Sequence, residues 1–338
     1  MSIVTTGFFD GVHLGHRHVL ETVVSAARKR GEEAIAVTFW PHPRTVLQQD
    51  AREFRLLTSL EEKKALLAAA GIDRVEVIPF SREFAALKAE EYLQLLRDRF
   101  GASLIVMGYD NHIGSDRRTA KELCDKDVLT VDEFSGSSAS ENYFSQGFAK
   151  NQFPDAGTNP TAEENYFLQG FAKNQFSSAT ICHSERSEES PGAISSTRIR
   201  KALEEGNVVP ANEMLGYAYG LYGVVVAGNR MGRTIGFPTA NMHLYEPLKL
   251  VPGNGVYAVE VEVLGVTYKG MCNIGKRPTV GGTTRTIETH ILDFDQDIYG
   301  LPMRLRFLRR IRDERKFPSL EALRSQLQAD SLQVRGDK

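Results

Sequence analysis

Apolar positions in the first part of the chain follow two rhythms. Short solid runs ("SIVTT", "AIAVTFW", "RVEVIPF" and "SLIVMG") are separated by segments in which apolar side chains recur every three or four residues. The solid runs predict buried strands, and the spaced segments predict helices with one apolar stripe. In "HRHVLETVVSAARKRG" the stripe is Val19, Leu20, Val23, Val24 and Ala27, and Gly31 stops it. "TSLEEKKALLAAAG" opens with Ser59 and Glu62 at capping-box spacing and ends at Gly71. "EEYLQLLRDRFG" reads as a further helix. This alternation predicts an α/β fold, a parallel sheet with helices on its faces. Ligands on such sheets bind at the carboxyl ends of the strands, where "GFFDG", "WPHPR" and "GYDNHIG" fall.

From about Gly220 the pattern changes to short β-rich segments, "LYGVVVAG", "GVYAVEVEV", "VTYKGMCNIG" and "RTIETHILDF", divided by Gly, Pro and Asn turns. They predict a closed antiparallel barrel, followed by one amphipathic helix, "SLEALRSQLQA". Between the two regions "ENYFSQGFAKNQF" (Glu141–Phe153) recurs as "ENYFLQGFAKNQF" (Glu164–Phe176), differing only at Ser145 and Leu168. Two copies are too few for a solenoid. With the polar "CHSERSEESP" that follows, this span of about 137–191 reads as a low-complexity insertion, either loosely packed surface or a partner-binding element.

Composition narrows the class. The 338 residues suffice for two domains, and 41% hydrophobic with 25% charged residues is ordinary for a globular protein. A net charge of -2 argues against a nucleic-acid partner, and no apolar run is long enough to span a membrane. Neither a signal peptide nor a disulfide or zinc pattern is evident; Cys124, Cys182 and Cys272 are too few and too far apart. A cytoplasmic protein is expected. An oligomer is compatible with the sequence but not specified by it.

Two motifs carry chemistry. "GFFDGVHLGH", Gly7–His16, places glycines, an aspartate and two histidines between a strand and a helix. A helix N-terminus offers unpaired N–H groups to an anion, and His13 and His16 add two donors. That suits a triphosphate attacked at its α-phosphorus, where positioning and neutralisation of charge do the catalysis. The plainer reading is a polar loop whose histidines cap the helix. "ISSTRIR", Ile194–Arg200, sets hydroxyls and arginines at another helix start, either a second phosphate clamp or an ordinary N-cap with surface arginines. Beyond these, "GNRMGRTIGFPTAN", Gly228–Asn241, is glycine-rich without a Walker ending. Thr239 and Asn241 alternate on an extended segment, and their oxygens suit Mg²⁺ carrying nucleotide phosphates; a simple hairpin is the alternative. Glu288, among β-formers, is a candidate general base or a solvated strand residue.

Together, "GFFDGVHLGH", "TFWPHP", "GYDNHIG" and "ISSTRIR" resemble the H-x-G-H nucleotidyltransferases, and more narrowly the FMN adenylyltransferase domain of bacterial bifunctional riboflavin kinase/FAD synthetases. "GFPTAN", "PGNGVYAV", "NIGKRPTV" and Glu288 resemble the riboflavin kinase barrel of the same family. The resemblance implies a Rossmann-like parallel-sheet nucleotidyltransferase domain at 1–215 and an antiparallel β-barrel kinase domain at 216–338. It implies that riboflavin is phosphorylated by ATP to FMN, and FMN adenylylated to FAD and pyrophosphate, both with Mg²⁺. His13, His16, Asp110, Arg198 and Glu288 would be catalytic. Gly7, Phe9, Asp10, Gly15, Ser196, Thr197, Gly228, Gly236, Thr239 and Asn241 would bind nucleotide, with Thr239 and Asn241 also holding the metal. Partners would be riboflavin, FMN and ATP, with no nucleic acid and no membrane. Two departures stand out: a short leader before the first strand, and the long span between "GYDNHIG" and "ISSTRIR". The second leaves two rivals, a kinase whose adenylylation the insertion impairs and a flavin-binding interaction protein.

Overall fold

The computed structural model describes residues 1–47, 54–123, 125–134, 194–228, 231–279 and 282–336. The chain divides into two compact units, and the division does not follow a single cut. One comprises Met1–Phe9, His16–Phe54 and Leu60–Gly192; the other comprises Asp10–Gly15, Arg55–Ser59 and Ala193–Lys338. The repeat lies outside the described residues, as do Cys124 and Cys182.

The first unit runs β1 (Ser2–Thr6), α1 (Leu14–Arg30, whose first two residues count with the other unit), β2 (Glu33–Trp40), α2 (Pro43–Leu47), α3 (Leu60–Ala69), β3 (Arg74–Pro79), α4 (Arg82–Ala85), α5 (Ala89–Phe100), β4 (Ala102–Gly108), α6 (Ala120–Leu123) and β5 (Val128–Val131). The sheet order is β3-β2-β1-β4-β5, and every pairing is parallel. Every residue of β1 is buried, as a central strand covered on both faces requires. α1 buries Val19, Leu20, Val23 and Ala27 of the expected stripe, while Val24 is half-buried. α5 ends where Gly101 takes a left-handed φ of 64° and donates its N–H to the Arg97 carbonyl. Val4, Ile35, Val37, Ile105 and Met107 pack with Leu93, Leu96 and Phe100 of α5, each full burial contributing about 1.5–3 kcal/mol. Strand order reverses between β1 and β4, and the carboxyl ends of strands at such a reversal are where ligands of parallel sheets bind.

The second unit adds α7 (Ser196–Glu204), α8 (Val208–Leu215), β6 (Gly220–Val226), α9 (Met231–Thr234), β7 (Ala240–Leu244), β8 (Gly255–Val263), β9 (Val266–Thr279), β10 (Gly282–Ile291), β11 (Pro302–Arg312) and α10 (Leu320–Gly336). The strands close a barrel in the order β10-β7-β6-β11-β8-β9, all antiparallel. Its core includes Leu221, Val259, Val261, Cys272, Ile274, Ile287, Leu305 and Phe307. Alternation of buried and half-buried positions along β6 is the period-two pattern of a strand with one core face. α10 is tied to β11 by fully buried Asp330, 2.8 Å from Arg312 Nη2. Both expected architectures are present. The short elements α2, α4, β5 and α9 lie beyond what the apolar pattern reveals.

Candidate functional site

In the first unit, β1 stops at Thr6 and the chain leaves the sheet through Gly7–Phe9, at the point where strand order reverses. Gly7 N–H donates to the Val37 carbonyl at 3.1 Å, and a Cβ there would press on the Phe9 ring at 3.2 Å. Phe9 is buried at a φ of 48°, and its ring meets the His16 ring edge-on, with centroids 5.3 Å apart. His16 itself is half-buried. From the end of β4, Asn111 Nδ2 donates to the Thr6 carbonyl at 3.1 Å, which holds the "GYDNHIG" turn beside β1. Asp110 in that turn is exposed. Gly7, Phe9 and His16 therefore gather at the end of β1, with Asp110 on the turn anchored next to it.

In the second unit, the loop Asp10–Gly15 is clamped from several directions. Asp10 is 2% exposed, yet its carboxylate is surrounded by donors. Oδ1 accepts from Leu57 N–H at 3.1 Å, Thr58 N–H at 3.0 Å and the Thr58 hydroxyl at 3.1 Å. Oδ2 accepts from Leu57 N–H at 3.0 Å and from Arg200 Nη2 at 2.6 Å. The Ser196 hydroxyl donates to the Asp10 carbonyl at 2.9 Å, and the Tyr217 hydroxyl to the Gly11 carbonyl at 2.7 Å. Gly11 has a φ of 83°, which favours glycine, and a Cβ there would lie 2.9 Å from Leu57 Cδ1, so a substitution would also displace that side chain. Val12 follows at a φ of 39°, a strained conformation for a β-branched residue that surrounding bonds must impose. His13 is 6% exposed, and a Cβ on Gly15 would sit 3.3 Å from its ring.

α7 supplies the other side of this clamp. Ser195 is its N-cap, accepting from Arg198 N–H at 3.3 Å. Ser196 and Arg200, four residues apart on one helix face, are buried; Thr197 is exposed and Arg198 half-buried. Breaking a buried ion pair such as Asp10–Arg200 from one side costs about 3–5 kcal/mol. The sequence showed Arg200 inside "ISSTRIR" without a role, and nothing in its spacing named Asp10 as its partner.

The barrel motif is organised by strand register. Glu288 on β10 lies directly opposite Asn241 on β7 and Asn273 on β9. Residues so paired keep their Cβ atoms roughly 4.5–5.5 Å apart on one face. All three are half-buried, whereas Ile287 and Thr289 on either side of Glu288 turn into the core. Thr239 immediately precedes β7 and shares the half-buried phase of Asn241, as the alternation predicted. Gly228 approaches so closely that a Cβ would fall 2.1 Å from Asn241 Nδ2. Gly236 takes a φ of 84° in open space. His290 Nδ1 lies 2.8 Å from the Pro238 carbonyl and its ring stands across Phe237, centroids 5.1 Å apart, so it braces the "GFPTAN" segment. Sequence reading missed His290; its place two residues after Glu288 on the same strand face was the available signal. Cys272, paired with Thr289, is a core residue: burial pushes its thiol up to about 12, against the Thr289 hydrogen bond and with help from the Glu288 carboxylate.

Among the described residues no cluster of three or more His, Cys, Asp or Glu side chains could hold a metal alone. The candidate metal donors at Thr239 and Asn241 are side-chain oxygens, with the Glu288 carboxylate across the strands from Asn241. A hard cation that keeps waters and brings nucleotide phosphates with it fits that set, because Mg²⁺ rarely needs an all-protein cage.

A riboflavin kinase family model matches residues 215–336, and an FAD synthetase family model matches residues 1–140. A bifunctional riboflavin kinase/FMN adenylyltransferase from Bacillus subtilis (strain 168) is 32% identical, covering 98% of this chain and 91% of its own length. The protein of the same description from Escherichia coli (strain K12) is 33% identical, with the same shares covered. A crystal structure described as a macrolide-efflux protein from Streptococcus pneumoniae is 32% identical with a TM-score of 0.79, covering 100% of this chain and 94% of that one. Among the described residues, no helix of this chain is long and apolar enough to cross a membrane.

Proposed function

The chain belongs to the family of bifunctional riboflavin kinase/FMN adenylyltransferases, and from that premise we propose how its residues divide the two reactions. It phosphorylates riboflavin with ATP to give FMN, then transfers AMP from ATP to FMN, giving FAD and pyrophosphate. The activities are assigned to 1–215 for adenylylation and 216–338 for phosphorylation. The separate matches at 1–140 and 215–336 support two regions, and residues 194–215 belong to the same compact unit as the barrel.

In the kinase reaction Glu288 takes the proton from the ribityl hydroxyl as that oxygen attacks the γ-phosphorus, and ADP leaves. A carboxylate aligned across the strands with Asn241 is positioned for this work, and Gly228 brings the glycine-rich segment against the same side chain. Gly236 gives that segment its left-handed turn. Thr239 and Asn241 would hold Mg²⁺, which when bound neutralises phosphate charge. In the adenylyl transfer a phosphate oxygen of FMN attacks the α-phosphorus and pyrophosphate leaves. His13 and His16 donate N–H groups to the charge that develops there, and Thr197 and Arg198 bind the phosphates. Gly7, Phe9 and Gly15 shape the nucleotide contact, and Asp110 stands at the acidic position. The setting proposed is cytoplasmic, with riboflavin, FMN and ATP as the small-molecule partners.

Two family models on separate segments, each with its motif intact, carry this reading. Purified protein incubated with riboflavin and MgATP, with flavins separated over time, should show FMN rising first and FAD following. FMN without FAD would leave only the kinase. Neither product would leave a flavin-binding interaction protein.

A further inference from the structure

The resemblance counts Asp10 and Ser196 among the nucleotide contacts, but their bonds run elsewhere. Both oxygens of the Asp10 carboxylate accept from protein donors, among them Leu57 N–H, Thr58 N–H and Arg200 Nη2. The group is 2% exposed and carries the same sign of charge as a phosphate. Ser196 is 5% exposed, and its hydroxyl donates to the Asp10 carbonyl at 2.9 Å. Arg200, one helical turn further on, closes the ion pair at 2.6 Å and also donates from Nε to the Arg55 carbonyl at 3.1 Å.

We propose that Asp10, Ser196 and Arg200 are positioning residues that latch the loop bearing His13 to the helix bearing Thr197 and Arg198. The proposal rests on the adenylylation reading above. Helix geometry supports the division of labour, since Ser196 and Arg200 at i and i+4 share the face turned to the loop. Thr197 lies exposed on the same first turn. Strain in the loop supports it too. Gly11 and Val12 in succession adopt positive φ, and such a conformation persists only where several bonds fix it. The latched segments are 190 residues apart in sequence, so no local hydrogen bond could set their spacing. A shift of about 1 Å between groups that act on one phosphate costs about a hundredfold in rate.

The test uses the full chain and both of its activities. Asp10→Asn, Arg200→Met and the double variant are assayed for FMN-to-FAD conversion, with kcat and the KM for ATP resolved. Riboflavin phosphorylation in the same preparations reports folding. Each single variant should lower the adenylylation kcat by about a hundredfold while the KM for ATP moves less than about threefold. Phosphorylation should hold within about twofold, and the double variant should be no worse than the worse single, because all three break one link. Arg200→Lys should recover part of the loss by restoring charge and one donor. If Asp10→Asn raises the KM for ATP about tenfold or more while Arg200→Met is near wild type, Asp10 touches the nucleotide and the latch is wrong. Additive losses in the double variant, or parallel loss of both activities with no recovery in Arg200→Lys, would overturn it as well. Wild-type chain that makes no FAD would instead remove the adenylylation reading itself.

Discussion

In the barrel, strand register sets Glu288 opposite Asn241, whereas the loop before His13 is held by a backbone N–H 47 residues away and a guanidinium 190 residues away in sequence. Register is redundant: the β9–β10 ladder pairs ten successive residues, so one altered side chain leaves the backbone where it was. The loop has no ladder. Its shape depends on one buried carboxylate, a buried guanidinium, a serine and a tyrosine, together with a glycine at positive φ. The two regions should therefore break in different ways. Substitutions in the barrel should remove individual chemical groups and leave their neighbours working, while substitutions around the loop should act through position.

The largest effect tests the barrel side. Glu288→Gln preserves shape and hydrogen bonding but removes the proposed base, so riboflavin phosphorylation should fall by about 10²–10⁴. Supplied FMN should still be converted to FAD, because adenylylation is assigned to other residues. Near-normal riboflavin turnover would make Glu288 an ordinary strand residue and dissolve the barrel half of the comparison.

His16→Ala is the counterpart in the first unit. Loss of a donor to developing charge lowers rates by about 10²–10³, and FAD formation should drop on that scale. FMN formation should persist. Because His16 also carries the edge contact with Phe9, thermal unfolding should be recorded alongside activity. Equal loss of both products in a folded variant would contradict the division between the two parts.

Gly228→Ala sharpens the contrast at smaller scale. The new methyl would sit 2.1 Å from Asn241 Nδ2 and 2.7 Å from its Cγ, so that side chain must swing aside. Riboflavin kinase kcat/KM should fall by about ten- to a hundredfold through misplacement of one proposed metal ligand. The barrel should stay folded, since register and not this contact sets the strands. Unchanged kinetics would show that Asn241 does not act from the position it holds here.

What could be read beforehand follows the same line. The parallel sheet was legible because "SIVTT", "AIAVTFW" and "SLIVMG" are mostly buried and largely apolar, while the edge strand in "RVEVIPF", with only Ile78 buried, still shows a β-rich run. Thr239 and Asn241 were legible as a pair because alternation is a local property of an extended chain, and so was α7 from its serines. Asp10 and Arg200 each lie in a recognisable motif, but their pairing is a tertiary fact with no periodicity to betray it. The four-residue strand β5, "VLTV", is too short to show a period, and its position at the sheet edge leaves only Val131 buried. His290 was hidden for another reason: a lone histidine in a strand looks the same whether it faces solvent or braces the carbonyl of Pro238.

That brace yields the smallest expected effect, a dependence of stability on pH. Burial holds the His290 pKa below the ordinary histidine value of 6.5; the bond to the Pro238 carbonyl opposes this, Arg335 adds to it and Asp293 opposes it. With the folded pKa depressed, the unfolded chain takes up a proton first as pH falls. The stability supplied by neutral His290 is therefore fully present above the unfolded pKa near 6.5 and is lost as pH drops from there through the folded value. His290→Gln keeps an amide donor for Pro238 but cannot titrate, so its unfolding midpoint should vary less between about pH 7 and pH 5 than that of the parent. The measurement is thermal unfolding of both proteins across that interval, with riboflavin phosphorylation at neutral pH as a check that the "GFPTAN" segment stays in place. If the two proteins lose stability in parallel as the pH falls, His290 contributes no titration to the barrel.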